Sequence, residues 1–174
     1  MHVPPSLLDI VRTRFPNAKH YVENWMLVNK GEAKFFRSEC VRKLTEADSA
    51  KLAMLLSSRR DRPKRPEAKY SDWPRRMPLY GVFSDGELVS YAGSFLQMPQ
   101  IWMMGGVYTD PRHRSRGYAT MATSAITEEA LGKSERAALF VRSDNYAAIR
   151  VYEKIGYVKI GEKIWVDVGT GLKP

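Results

Sequence analysis

The stretch "YTDPRHRSRGYATMATSAI", residues 108 to 126, gathers Arg112, His113, Arg114 and Arg116 into a few positions and follows them at once with Gly117. Such a stretch can hold an anion. Where a helix starts, its first N–H groups have no carbonyl partner within the helix, and the aligned peptide dipoles favour negative charge. Gly117 puts no side chain in front of those amides, Ala119 is small enough to keep the approach open, and Arg114 and Arg116 add charge. The residues alone leave two readings open: a phosphate cradle, or a tight turn whose arginines face solvent. A second group lies in "DNYAAIRVYEKIGYVKIG". There Ala148 and Tyr152 are four apart and share a helix face. A phenol, with an ordinary pKa of about 10, is protonated at neutral pH and can donate a proton.

The elements around these residues follow from their spacing. Upstream of the turn, "IWMMGGVYT" reads as a strand; downstream, Met121, Ala122, Ala125, Ile126 and Ala130 recur at helical steps. The spacing predicts a helix over 116–131 ending near Gly132 as its cap. "DNYAAIRVYEKIG" predicts a short helix with Asp144 as N-cap and Gly156 just past its end. Thr45 with Asp48 three residues on resembles a capping box, so residues 46–57 should be helical and bury Leu52, Leu55 and Leu56. "PLYGVFSDGELVSYAGSFL" predicts a hairpin turning at Asp85-Gly86. "ECVRKL", "RAALFVRS" and "YVKIGEKIWVDV" add strands, and residues 59–76 read as loop with one short helix. At the start, "PPSLLDIVRTRF" reads as a short helix and "HYVENWMLVN" as a strand, with "GEAKFF" as a connector, so residues 1–36 read as an N-terminal helix–strand appendage. The order β-α-(loop)-β-β-β-α-β-α-β implies a mixed sheet with helices on its faces.

Composition narrows the classes. With 174 residues, 44% of them hydrophobic, the chain suits one domain with a sizeable core. Lys+Arg number 28 against 19 Asp+Glu, a formal net charge of +9. That excess suits a phosphate-bearing ligand, an acidic partner or nucleic acid. No aromatic-basic interleaving or nucleic-acid motif supports the last. Cys40 is the one cysteine, so no internal disulfide forms, and His2, His20 and His113 have no metal-ligand spacing. No apolar run reaches the roughly 18 residues of a membrane span, and no signal-peptide core is evident. A soluble, cytoplasmic protein is expected. Neither G-x-x-x-x-G-K-[ST] nor G-x-G-x-x-G occurs, which removes Walker-type and dinucleotide sites.

The strand "GGVYT", the turn "RSRGYA" and the segment "N-x-x-A-x-x-x-Y-E-K-x-G-Y" resemble, in order and spacing, the signature of the GCN5-related N-acetyltransferase (GNAT) superfamily. The "GGVYTDP…RGYA" wording is most similar to its FR47-type group. The resemblance implies an α/β (α+β) fold: a mixed, mostly antiparallel sheet with helices on both faces and splayed strands forming an acetyl-CoA cleft. It implies a catalytic domain over 37–174, with 1–36 a remnant of a preceding GNAT-like half. It implies acetyl-CoA as acyl donor, with pantetheine along the backbone of Val107, Tyr108 and Thr109. The pyrophosphate would sit on Arg114, Ser115, Arg116, Gly117, Tyr118, Ala119 and Thr120. Asn145 and Ala148 would contact the donor, and Tyr152 would protonate the leaving thiolate. The acceptor would be a small-molecule or peptide amine attacking the thioester directly, without an acyl-enzyme on Cys40.

Members of the superfamily often carry a glutamate base on one of the splayed strands. Here Phe140 stands in "LFVRS" where a carboxylate would, and "IWMMGG" holds no acid, so the base is a water or a residue from elsewhere. An idle GNAT fold that senses acyl-CoA is therefore a second reading. The acceptor amine, the acyl chain length and the oligomeric state, a dimer included, are not legible.

Residues 59–76 carry eight basic residues (Arg59, Arg60, Arg62, Lys64, Arg65, Lys69, Arg75, Arg76) and three acids (Asp61, Glu67, Asp72), a net +5. By the resemblance this stretch borders the acceptor entrance. It either keeps the protein soluble or attracts an acceptor with negative charge near its amine. In the second case kcat/KM for an anionic amine should fall with salt more steeply than for a neutral one of similar size, because the screening length drops to about 8 Å at physiological ionic strength. Reversal of Arg59, Arg60, Arg62 and Arg65 to glutamate should flatten that slope. Unaltered acceptor preference in the reversed protein would leave the stretch as solvated surface.

Overall fold

The computed structural model of the chain describes residues 2–59, 70 and 72–167. Its elements are β1 (His2–Val3), α1 (Leu8–Arg14), β2 (Lys19–Asn29), β3 (Val41–Lys43), α2 (Ser49–Ser57), α3 (Trp73–Arg76), β4 (Leu79–Ser84), β5 (Glu87–Gln97), β6 (Ile101–Thr109), α4 (Tyr118–Lys133), β7 (Arg136–Arg142), α5 (Tyr146–Ile155) and β8 (Val158–Asp167). Among the described residues the strands form one sheet in the order β1-β8-β2-β7-β6-β5-β4-β3. Every ladder is antiparallel except β6 with β7. This is the mixed, mostly antiparallel sheet expected, and helices cover both faces. β5 sends Leu88 and Tyr91 to Leu52, Leu55 and Leu56 of α2. It sends Val89 and Ala92 to the other face, which holds Ala122, Ile126 and Ala130 of α4 and Ile155 of α5. Each such large side chain, removed from water, contributes about 1.5–3 kcal/mol. A smaller cluster seats α1 on β8 through Val11, Ile164 and Val166.

Residues 1–36, read as an appendage, contribute to the interior of the sheet. β2 lies between β7 and β8 and is hydrogen-bonded to both. Met26, Leu27 and Val28 are buried there. β7 and β8, both antiparallel to β2, run parallel to each other, so α5 is the crossover that joins them. The connector after β2 crosses the helices: Lys34 N–H donates to the Ile155 carbonyl at 2.8 Å and Phe36 N–H to Ser124 Oγ at 2.7 Å. Cys40, expected in the first strand of the domain, sits one residue before β3, with Ser38 Oγ 3.1 Å from its sulfur. Of the basic stretch 59–76, residues 60–69 and 71 lie outside the described residues; the expected short helix is α3. Among the described residues no helix is long and apolar enough to cross a membrane.

Two helix ends differ from expectation. α4 runs through Gly132 to Lys133, because Ser134 closes it: both its N–H (2.8 Å) and its Oγ (2.9 Å) donate to the Ala130 carbonyl. α5 is capped by Asn145, whose Oδ1 accepts the Ala148 N–H at 3.2 Å; Asp144 is instead held by Arg142 Nε at 3.0 Å. The capping box before α2 is as expected, on a short 3-10 turn, Glu46–Asp48. Asp48 accepts the Thr45 N–H at 2.9 Å and Arg42 Nη1 and Nη2 at 2.8 and 2.7 Å.

The hydrogen bonds from Arg42, ahead of that from Thr45, hold the Asp48 carboxyl down at about 2, against an ordinary 3.8. A carboxyl depressed on folding stabilises fully above its unfolded pKa and ceases to as pH falls through its folded one. Urea unfolding of the wild type should therefore lose stability between pH 4 and 2 that Asp48→Asn, already weaker at pH 7 by about 1 kcal/mol for the lost cap, does not lose. Parallel pH slopes for the two proteins would exclude this role.

Candidate active site

The site begins where β6 and β7 part. Their parallel ladder runs from Ile101↔Arg136 to Met104↔Leu139 and stops. β7 continues to pair with β2 as far as Arg142↔Glu23, while β6 turns to β5. The turn is a β-bulge: Gly93 pairs with Gly105 and Tyr91 with Tyr108, so Gly106 and Val107 oppose a single residue. Gly106 takes φ +71°, which strains any residue with a Cβ, and a Cβ there would lie 3.1 Å from Tyr91 Oη. Beyond Met104, the edge of β6 that faces β7 therefore has no strand partner among the described residues. The Tyr108 carbonyl accepts Ser90 Oγ at 3.1 Å and the Thr109 carbonyl accepts Arg114 Nε at 3.4 Å.

The turn after β6 is built on Asp110. Its buried carboxylate accepts the Arg112 N–H at 2.8 Å and Arg112 Nε at 3.2 Å, and the Arg112 hydrogen bond holds its pKa below the ordinary carboxylate value. Ser115 (φ +63°) and Gly117 (φ +81°) are both left-handed. Such reversals fold successive amides towards one side, a concavity that suits anions. Gly117 is the N-cap of α4 and offers its first amides no side-chain acceptor. Those amides are thus open to a ligand.

Around this gap lies a cleft of about 710 Å³. Val107, Tyr108, Thr109, Arg114, Ser115, Gly117, Tyr118, Ala119, Thr120, Asn145, Ala148 and Tyr152, singled out in sequence, all line it. Arg116 does not; it is exposed outside the lining. The sequence reading did not single out Arg150 or Lys154, and it assigned Arg59 to the acceptor entrance and not to the donor; all three also line the cleft. The i, i+4 pair Arg150 and Lys154 was open to detection as a basic helix stripe. Arg59 was not, because it reaches the cleft only by lying over the Tyr108 ring, 4.9 Å from its centroid. Ser58 Oγ lies 2.9 Å from the same phenol oxygen. His113 Nδ1 is buried and without a hydrogen bond, 3.9 Å from Asp110 Oδ1. No carboxylate is among the lining residues described. Asn145 spends its oxygen on the α5 cap.

Tyr152 is 7% exposed, and its ring meets Tyr157 edge-on at 6.1 Å. Burial pushes its pKa up to about 12. The phenol is thus a proton donor at every working pH.

An open V between parallel strands, free amides at a helix start and a buried phenol meet in one cleft, and its open amides suit an anion. The chain belongs to the Acetyltransferase (GNAT) family, whose profile matches residues 44–157. Acetyl-CoA is the donor of this family generally. No curated protein matches the chain by sequence. Among solved structures, a GNAT acetyltransferase from Novosphingobium aromaticivorans aligns with TM-score 0.70 at 24% identity, over 86% of this chain and 66% of its own. A Drosophila protein aligns with TM-score 0.76 at 17% identity, over 96% and 59%. A ribosomal-protein-alanine N-acetyltransferase from Brucella melitensis aligns with TM-score 0.57 at 22% identity, over 70% and 92%. These likenesses establish the fold. The chain spans 66% and 59% of the length of the first two.

A Cβ at Gly117 would meet only Met121 Cε, at 3.9 Å, so a larger side chain there extends into open space beside the amides. Gly117→Val should lose about 1–2 kcal/mol of stability to its left-handed backbone. Its affinity for acetyl-CoA should fall on the order of 10²-fold, about 2.7 kcal/mol. Calorimetric titration of the folded variant decides; wild-type affinity would mean that no phosphate sits on this turn.

Proposed function

We propose that the protein is an acetyl-CoA-dependent N-acetyltransferase acting on a primary amine. The observation that carries the reading is the convergence of three features on one cleft: the unpaired edge of β6, the open amides at the start of α4, and the Tyr152 phenol. Pantetheine would pair along Val107 and its neighbours, and the pyrophosphate would rest on the amides from Ser115 to Thr120. Arg114, Arg150 and Lys154 supply charge without a competing carboxylate in the lining. The amine nitrogen attacks the thioester carbon, the C–S bond breaks, and Tyr152 donates its proton to sulfur. Cys40 is not among the lining residues, which agrees with direct attack. The turn's wording supports a place in the FR47-type group, and a lone cysteine suits a cytoplasmic setting. The excess positive charge of residues 59–76 supports an acceptor with negative charge near its amine.

One observation favours a second reading. No carboxylate lines the cleft among the described residues, so a catalytically idle domain that binds acyl-CoA as a sensor fits the same geometry. Release of free CoA across amines, amino acids, polyamines and peptides separates the two. Binding without release in every case identifies the sensor.

Tyr152→Phe keeps the ring and removes only the donor. Turnover should fall on the order of 10²-fold, with acetyl-CoA affinity little changed. Because the phenol titrates at about 12, the wild-type kcat profile should show no alkaline limb from this group up to pH 10. Undiminished turnover in Tyr152→Phe would assign the proton to water or another residue.

A further inference from the structure

Among the described residues no carboxylate lines the cleft, and the ring nitrogen of the histidine that does, His113 Nδ1, is buried. Whatever takes the amine's proton must come from beyond this lining. Phe140 is the first residue of β7 after its last pair with β6, so it borders the gap between the two strands. Its neighbours Leu139 and Val141 belong to the core under α4 and α5, so Phe140 faces the other side of the sheet. In register on that side lie Trp25 opposite Phe140, Tyr21 opposite Trp165, and Glu23 between Arg142 and Lys163.

His2 lies over this face. Its ring lies tilted against Phe140, centroids 4.2 Å apart, and meets the edge of Trp165 at 4.9 Å. Its Nε2 is 2.6 Å from Glu23 Oε2. The β1/β8 ladder, with His2 opposite Trp165, holds the backbone. The two side chains remain 29% and 17% exposed, so a solute reaches them. A carboxylate accepts only, so Nε2 carries the hydrogen in the neutral ring and Nδ1 presents a lone pair. The charged groups that flank Glu23 on this face are already engaged. Arg142 is paired with Asp144 and lies over Tyr21 at 4.5 Å; the Lys163 Nζ lies over Trp25 at 5.9 Å.

We propose that the acceptor amine is received on this aromatic face beside the β6/β7 gap, and that His2, oriented by Glu23, is the general base. The proposal rests on the acetyl-transfer reading above. An incoming ammonium has three protons. One passes to His2 Nδ1 and on to solvent, which frees the nitrogen lone pair for attack. A second leaves the nitrogen after attack and restores Tyr152, which has given its own proton to sulfur. The third stays on the amide. Glu23 touches no reacting atom and is a positioning residue. The base lies against the ring that stands in the carboxylate's place, and it comes from a segment remote in sequence.

The test uses the full chain with acetyl-CoA and two probes. Phenethylamine is an ammonium at neutral pH and needs a base; hydroxylamine is largely unprotonated there and needs none. In His2→Gln and Glu23→Gln, kcat for phenethylamine should fall about 10²-fold, while that for hydroxylamine changes less than about threefold. Acetyl-CoA affinity by calorimetry should be unaltered in both, and added imidazole should restore part of the His2→Gln loss. Equal losses with the two amines would make the pair merely structural and overturn the proposal, as would full activity on phenethylamine. Glu23→Gln preserves side-chain shape, so it gives the answer if His2→Gln fails to fold. A wild type that binds acetyl-CoA and acetylates neither probe overturns this proposal, and the transfer reading falls with it only if the wider panel of amines, amino acids, polyamines and peptides also releases no CoA. A wild type that acetylates hydroxylamine alone leaves the transfer reading standing and overturns only the base.

Discussion

The rest of the molecule depends on two strands being held to different neighbours. β7 stays bonded to β2 as far as Arg142, while the bulge at Gly106 turns β6 towards β5, so the one parallel ladder ends at Met104↔Leu139. Unpaired backbone groups inside a sheet are costly unless a ligand or water satisfies them. A V of this kind persists because both strands are over-determined on their outer sides. It also fixes what gathers around it. The turn after β6 delivers the start of α4 to the same opening that the turn after β7 gives to α5, so amides and phenol that lie far apart in sequence converge on one cleft.

Charge follows the same division. The carboxylates at the two turns beside the cleft are committed elsewhere: Asp110 to Arg112 and Asp144 to Arg142. Arg114, Arg150 and Lys154 have no carboxylate partner among the described residues. The arrangement leaves these three cations unneutralised at the cleft. Its consequence is a cleft whose field favours anions. The buried phenol lies at the inner end of that field, where desolvation keeps it protonated.

The N-terminal segment shows how a strand remote in sequence completes the sheet. β2 inserts between β7 and β8, and its Met26 and Val28 join the core that α4 and α5 cover. Without it β7 would have no neighbour opposite β6, and nothing would hold β7 straight where β6 departs. The other face of β2 carries Tyr21, Glu23 and Trp25 to the open side, beside Phe140 and His2. One strand thus buttresses the cleft and surfaces the region next to it.

What the sequence determined by itself was local. The capping box at Thr45 and Asp48, the hairpin turn at Asp85 and Gly86 with both φ positive, the left-handed Gly117 and the face shared by Ala148 and Tyr152 each depend on residues within four positions of one another. Backbone sterics and neighbouring hydrogen bonds decide such features, so they are legible in one chain. Legibility weakened at helix ends, where two residues compete for one role: Ser134 closed α4 in place of Gly132, and Asn145 capped α5 in place of Asp144. It failed for everything set by pairing across the chain. The place of β2 in the sheet, the reach of Arg59 to Tyr108 and the contact of His2 with Phe140 have no local signature. They are chosen by which apolar faces can be buried together, and only the tertiary structure decides that.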